Sequence, residues 1–177
     1  EGRGMFMAEE LFELAGFPAI DYRKNNDLPP LKNFSAEYSF LKDKPAFVGL
    51  EGYLFPDTYQ IQKGETIEQI VRKTLSNFGK KFDQRFLAET ARQKKTIFSI
   101  VTMASLLEKE VKTLEDKKIV AGILWKRLSI GMALQVDAAP ITYAVRGLPQ
   151  NPIGNPGLES IEAALYPQDS LYWYYLS

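Results

Sequence analysis

The stretch "TIFSIVTMASLLEKEV", residues 96 to 111, reads as one buried helix that ends in two carboxylates. At about 100° per residue, Ile97, Ile100, Val101, Ala104, Leu107 and Val111 share one face. Glu108 falls near the centre of that face, one turn after Ala104. Glu110 falls on the far side, near Met103 and Leu106, and is expected to be the more solvated carboxylate of the two. A carboxylate inside an apolar stripe has two readings. It can be a helix-edge residue that snorkels to water or pairs with a Lys or Arg. It can also be a general acid, because partial burial disfavours the ionised form and raises the pKa. A Glu kept protonated in this way can donate to a leaving group. Periodicity alone leaves both open.

Composition narrows the chemistry. The 177 residues suffice for one domain with a proper core, and 45% hydrophobic content fits a folded globular chain. Lys+Arg and Asp+Glu are 22 each, so the net charge is +0 and no basic excess points to nucleic acid. The chain has no Cys and no His. Disulfides, thiol catalysis, Ser-His-Asp triads and His or Cys metal sites are thereby excluded. An enzyme without a cofactor would then draw its proton chemistry from Asp, Glu, Lys or Tyr. No apolar run approaches the roughly 18 residues of a membrane span, and no signal peptide is visible. The abrupt start "EGRGMF" and the apolar end "LYWYYLS" both read as cut.

Working outward from 96–111, residues 113–131 form a second helix, with Thr113 as N-cap and an acidic first turn. The very short break between the two predicts a helical hairpin. Upstream, 65–82 and 83–93 read as helices, the latter capped by Asp83. Residues 6–16 read as a short amphipathic helix and 158–167 as another, ended by Pro167. Residues 47–66 read as extended pieces joined by turns. Residues 132–144 read as extended or turn, 145–157 as loop, and "LYWYYLS" as a β-type run. The expected class is α+β: a helix-rich domain with a small β-sheet and the candidate Glu on a central helix.

Two further regions could carry chemistry. "LEGYLFPDTYQ" (50–60) sets Glu51 and Asp57 among Tyr53, Phe55 and Tyr59. Aromatic faces beside carboxylates suit sugar rings and their hydroxyls, although such a loop can equally complete the core. "GMALQVD" and "NPIGNPG" place Gln135, Asp137, Asn151 and Asn155 in loops, where Asx residues usually serve turns. No phosphate-cradling Gly loop or metal-ligand spacing occurs.

Four motifs in fixed order then sharpen the picture: "LEGYLFPDTY", "VTMASLLEKE", "KRLSIGMALQVD" and "GLPQNPIGNPGLESIEAALYP". They resemble the MltG/YceG-like endolytic murein transglycosylases of bacteria, over roughly residues 46–177. The resemblance implies a leading segment at 1–45 and a transglycosylase catalytic domain at 46–177. It implies cleavage between N-acetylmuramic acid and N-acetylglucosamine within nascent glycan strands, without water, leaving 1,6-anhydro ends. It maps the catalytic Glu onto Glu108 and substrate contacts onto Glu51, Tyr53, Tyr59, Gln135, Asp137 and Asn155. No metal or organic cofactor is implied. Peptidoglycan strands are the implied partner, with cell-wall synthases beside them and no nucleic acid. The implied location is the cytoplasmic membrane, held by a single N-terminal span, with the domain on the outer side. The competing expectation is a non-catalytic glycan-binding or scaffold module. The chain departs from the family pattern at "LQVDAAPITYA", and its connection between Ala144 and Val145 is shorter than the family's, which predicts a loop missing from this sequence or deleted there.

Overall fold

The computed structural model describes residues 34–62 and 65–175. The helix expected at 6–16 lies outside them. Six α-helices appear among the described residues: α1 (Ile67–Lys81), α2 (Gln84–Arg92), α3 (Ile97–Glu110), α4 (Leu114–Ser129), α5 (Ile141–Ala144) and α6 (Leu158–Leu165). Each long helix starts where the sequence offers an oxygen to its orphan N–H groups. Thr66 forms a capping box with Gln69 at α1. Asp83 accepts from the amides of Arg85 and Phe86 at α2. Thr96 pairs with Ser99 at α3, and Thr113 accepts from the Asp116 amide at α4. The α3 start has a second support: the Asp43 carboxylate accepts from the amides of Ile97 (2.5 Å) and Phe98 (3.2 Å).

Helix α3 is the centre of the molecule. Every residue from Ile100 to Leu107 is buried, including Thr102 and Ser105. A helix buried all round needs its polar side chains satisfied internally. Thr102 donates to Phe98 O and Ser105 to Thr102 O, both at 2.8 Å. The expected α3–α4 hairpin is realised only in part. The two helices touch, but each packs chiefly against α6. Trp125 of α4 donates from Nε1 to Ala164 O of α6 at 2.8 Å. After α6 the chain crosses α4 so closely that a Cβ at Gly122 would lie 2.0 Å from Gln168 O. Only glycine fits there. Truncating a core side chain such as Leu107 to Ala should cost about 2–5 kcal/mol.

A second layer of aromatic rings lies between the N-terminal turns and α1. Phe40, Tyr53, Phe78, Phe82 and Phe86 run ring to ring, with Phe40–Phe78 centroids 4.8 Å apart and Tyr53–Phe78 centroids 5.2 Å apart. Residues 47–62 are turns and extended chain, as expected.

The expected small β-sheet is not found. Among the described residues no strand forms, and an isolated antiparallel bridge joins Ala133 to Arg146. Residues 171–175 carry strand-forming side chains but no strand partner, so propensity had nothing to pair with. They serve α4 as a carbonyl source instead, Trp173 O accepting from Arg127 Nε at 2.7 Å. In the segment expected to be extended or turn, 132–144, residues 141–144 close into α5. Helix content therefore dominates, as the sequence indicates. No helix among the described residues is long and apolar enough to cross a membrane.

Candidate functional site

The last turn of α3 carries two carboxylates into two different surroundings. Glu108 points toward α6, as its place on the apolar stripe predicts. It is not enclosed by apolar groups, however: its side chain is 38% exposed. The core ends at Leu107, and polar groups meet Glu108 at the rim. Its Oε2 accepts from Ser160 Oγ at 2.5 Å and from the Gly157 amide at 3.1 Å. Both donors belong to the start of α6, whose dipole favours a negative charge there. Lys117 Nζ of α4, with its side chain only 6% exposed, stands 3.6 Å from the same oxygen. Lys117 also lies 4.0 Å from Glu159.

The loop over this end of α3 is built by precise contacts. The Ile153 amide donates to Ser105 Oγ at 3.0 Å. Asn155 Oδ1 accepts from the amides of Gly52 (2.7 Å) and Leu54 (3.2 Å). One side chain thus fastens the Glu51 turn to the loop that reaches Glu108. Gly52 lies at φ 93°, and a Cβ there would come within 2.6 Å of Val101 and 2.8 Å of Pro152. The turn can rest on α3 only because that residue is glycine. Glu51 is half-buried beside it. Helix α3, the Asn155 loop and the Glu51 turn are therefore tied together by hydrogen bonds and close packing.

The other expected contacts fall elsewhere. Tyr53 is fully buried, its ring inside the aromatic layer, and its hydroxyl has no hydrogen-bond partner. It is a core residue in this structure, out of reach of a ligand, its ring packed against Phe40 and Phe78. Tyr59 sits against α1, donating to Phe55 O at 2.6 Å and accepting from Asn77 Nδ2 at 3.0 Å. Burial pushes its hydroxyl pKa up. Asn77 also donates to Asp57 at 2.9 Å and, as the main cause, holds that carboxyl below its ordinary value.

Gln135 and Asp137 are not among the partners of Glu108. They line a cavity of about 210 Å³ on the side of α3 where Glu110 emerges. Tyr143, Tyr174, Tyr175 and the buried Arg127 complete its wall. Glu110 Oε1 accepts from the Ala138 amide at 2.7 Å, and Tyr143 donates its hydroxyl to Asp137. The Asp137 hydrogen bond is the main cause that raises the Tyr143 pKa. Burial, followed by the charge of Glu110, raises that of Tyr175. Glu110 was expected on an open far side; residues 132–144 and Tyr175 cover it instead. Gln135 holds a left-handed φ of 53° there, which a non-glycine residue adopts at a cost of about 1–3 kcal/mol.

Sequence reasoning missed Ser160, Lys117, Arg127 and Tyr175. Ser160 had a signal, lying three residues after Gly157 in a recognised motif. Lys117 and Arg127 look like solvated helix charges until the packing of α4 buries them. Among the described residues no group of three or more His, Cys, Asp or Glu could hold a metal ion.

A helix-centred fold with a carboxylate at the end of its buried helix defines the class, and a solved structure shares the fold. The chain superposes on the crystal structure of a YceG-like protein from Listeria monocytogenes with a TM-score of 0.76. That match has 28% sequence identity and covers 97% of this chain and 67% of the Listeria one. The YceG-like family model matches residues 15–141 and 141–177. The chain belongs to the YceG-like family. It is 30% identical over 150 residues to the endolytic murein transglycosylase of Bacillus subtilis, covering 72% of this chain and 42% of that protein. It is 40% identical over 112 residues to the endolytic murein transglycosylase of Streptococcus pneumoniae, covering 63% of this chain and 20% of that one. The chain thus spans less than half the length of these curated relatives.

Proposed function

We propose that residues 46–177 form the catalytic unit of an endolytic peptidoglycan lytic transglycosylase, with residues 1–45 leading into it. The reading rests on one observation above the rest. Glu108 stands at the solvent-facing end of the most buried helix, with an amide, a hydroxyl and an ammonium group converging on one oxygen. The names of the Bacillus and Streptococcus relatives support the reaction class.

In this reading Glu108 donates a proton to the glycosidic oxygen between N-acetylmuramic acid and N-acetylglucosamine. The bond breaks through an oxocarbenium-like state. Gly157 N–H, Ser160 and Lys117 then hold the carboxylate that donation leaves. That carboxylate takes the proton of the muramic C6 hydroxyl as its oxygen attacks the anomeric carbon, closing a 1,6-anhydro ring. An ordinary glycosidase needs a second carboxylate as nucleophile or water activator. Here the nucleophile is part of the substrate, and proximity supplies much of the rate. Glu51 orients the sugar from the adjoining turn, Asn155 positions that turn, and Tyr59, Gln135 and Asp137 contact the strand farther from the cut. No cofactor enters the reaction.

The same reading makes the strand nascent peptidoglycan and sets the unit outside the cytoplasmic membrane on a single-span anchor, beside cell-wall synthases. It also takes the Ala144–Val145 connection as shortened relative to the family, and the division of the family match at residue 141 supports that. The test is Glu108→Gln, assayed for anhydro-muropeptide release from purified glycan strands. Release at the parent rate would remove Glu108 from its role. Strand binding by the parent chain with no product would favour the scaffold alternative.

A further inference from the structure

The pocket behind Glu110 has no part in the proton transfer assigned to Glu108. We propose that the cavity between Glu110 and Asp137 binds a primary ammonium group, the free side-chain amine of a peptide stem carried on the glycan strand. The identity of the amine's carrier rests on the glycan reading above; the ammonium chemistry rests on the pocket itself.

The argument begins with charge. Two carboxylates and one guanidinium line the cavity. The guanidinium is committed to the wall. Arg127 is 2% exposed, its Nε and Nη2 donate to Trp173 O, and its Nη1 donates to Leu134 O. The Tyr174 ring covers it, 4.8 Å from Cζ to ring centroid. Among the described residues no Lys or Arg comes within 4.0 Å of Glu110 or Asp137. The cavity therefore carries one negative charge beyond what its wall balances, and a ligand with a single positive charge would neutralise it.

Hydrogen bonding gives the same sign. A carboxylate only accepts, with about four lone-pair sites on its two oxygens. The Ala138 amide takes one site on Glu110, and Tyr143 takes one on Asp137. The contact from Tyr175 to Glu110 Oε2 is long, at 3.5 Å. Acceptor capacity remains on both, so the ligand must be a donor. A neutral sugar hydroxyl donates but leaves the charge unbalanced, and an anion is repelled. The Asp137 hydrogen bond first raises the Tyr143 pKa and burial first raises that of Tyr175, with the charges of Asp137 and Glu110 adding in the same direction. Tyr143 and Tyr174 are 51% and 67% exposed at the mouth, where their rings can meet an ammonium group and the methylenes behind it.

The experiment compares two ligands that differ only in that charge: a synthetic stem peptide ending in lysine, and the same peptide with its Nε acetylated. Binding to the parent chain is measured by isothermal titration at low salt. Acetylation should weaken binding by about tenfold or more, the usual worth of hydrogen bonds to a charged group. Glu110→Gln and Asp137→Asn keep acceptors for Ala138 and Tyr143, so the wall should survive, and each should weaken the free-amine peptide alone. Equal affinity for the two peptides would overturn the proposal, and so would unchanged binding in the double variant. A matched arm uses glycan strands stripped of their stems. If Glu110→Gln loses those strands as severely as stem-bearing ones, the pocket reads sugar and the ammonium assignment falls. The Glu108 reading is judged separately, by whether Glu108→Gln still releases anhydro product from the stripped strands.

Discussion

Glu108 and Glu110 are two residues apart on one helix and meet different chemistry. Glu108 faces α6 and is held by a hydroxyl, an amide and a lysine. Glu110 faces residues 132–144 and is held by the Ala138 amide and a long contact from Tyr175, in a cavity whose Arg127 guanidinium is spent on backbone carbonyls. The helix wheel separates the two correctly by direction. It does not say how deep each lies. Depth is set by where neighbouring segments stop, and those come from residues far away in sequence. The carboxylate on the apolar stripe ends up at an open rim, and the one expected in water ends up partly covered.

The comparison can be broken most directly at Glu108. Glu108→Gln should lower anhydro-product release by about 10²–10⁴-fold, the usual worth of a positioned acid or base. Glu110→Gln should leave the rate on stem-free strands close to the parent's. Equal losses in the two variants would erase the distinction. Next in size is Gly52→Ala, which adds a Cβ at φ 93° and 2.6 Å from Val101. It should destabilise the fold by about 2–5 kcal/mol through strain and overpacking, read by denaturant unfolding. A stability equal to the parent's would mean that the turn is not seated on α3 as described.

Asn155→Ala should cost about 1–3 kcal/mol, since it strands two amide donors. It should also raise the KM for glycan strands by loosening the Glu51 turn. Ser160→Ala should have a smaller effect on stability, about 1 kcal/mol. If Ser160 orients Glu108, kcat should fall while KM holds; a change in KM alone would make it a binding residue.

The smallest effect concerns pH. Asn77 depresses the Asp57 pKa in the folded state. The stabilisation is therefore complete above the unfolded carboxylate value and is lost as pH falls through the lower folded value. Parent and Asp57→Asn should differ in Tm at neutral pH and converge in acid. A gap that widens as pH falls would reverse the sign.

The sequence made the helices legible because each signal was local. Asp83 and Thr113 cap the helices they were expected to begin, and Thr66 and Thr96 form capping boxes at the starts of α1 and α3. The stripe from Ile97 to Leu107 identified the central helix. The β-type reading of 171–175 failed because strand propensity needs a partner strand, and none lies alongside. Tyr53 was read as a ligand contact because composition cannot tell a core ring from a cleft ring. Lys117 and Arg127 became visible only when α4 packed against α6 and the chain after it. Motif resemblance pointed to the candidate Glu, but its hydrogen-bonding environment was legible only in three dimensions.

The central claim is that one carboxylate cuts the strand without water. The most direct measurement is to digest glycan strands with the parent chain in ¹⁸O-labelled water and weigh the products. The account predicts anhydro ends with no ¹⁸O at the new termini. One ¹⁸O per cut would contradict it and make the reaction an ordinary hydrolysis.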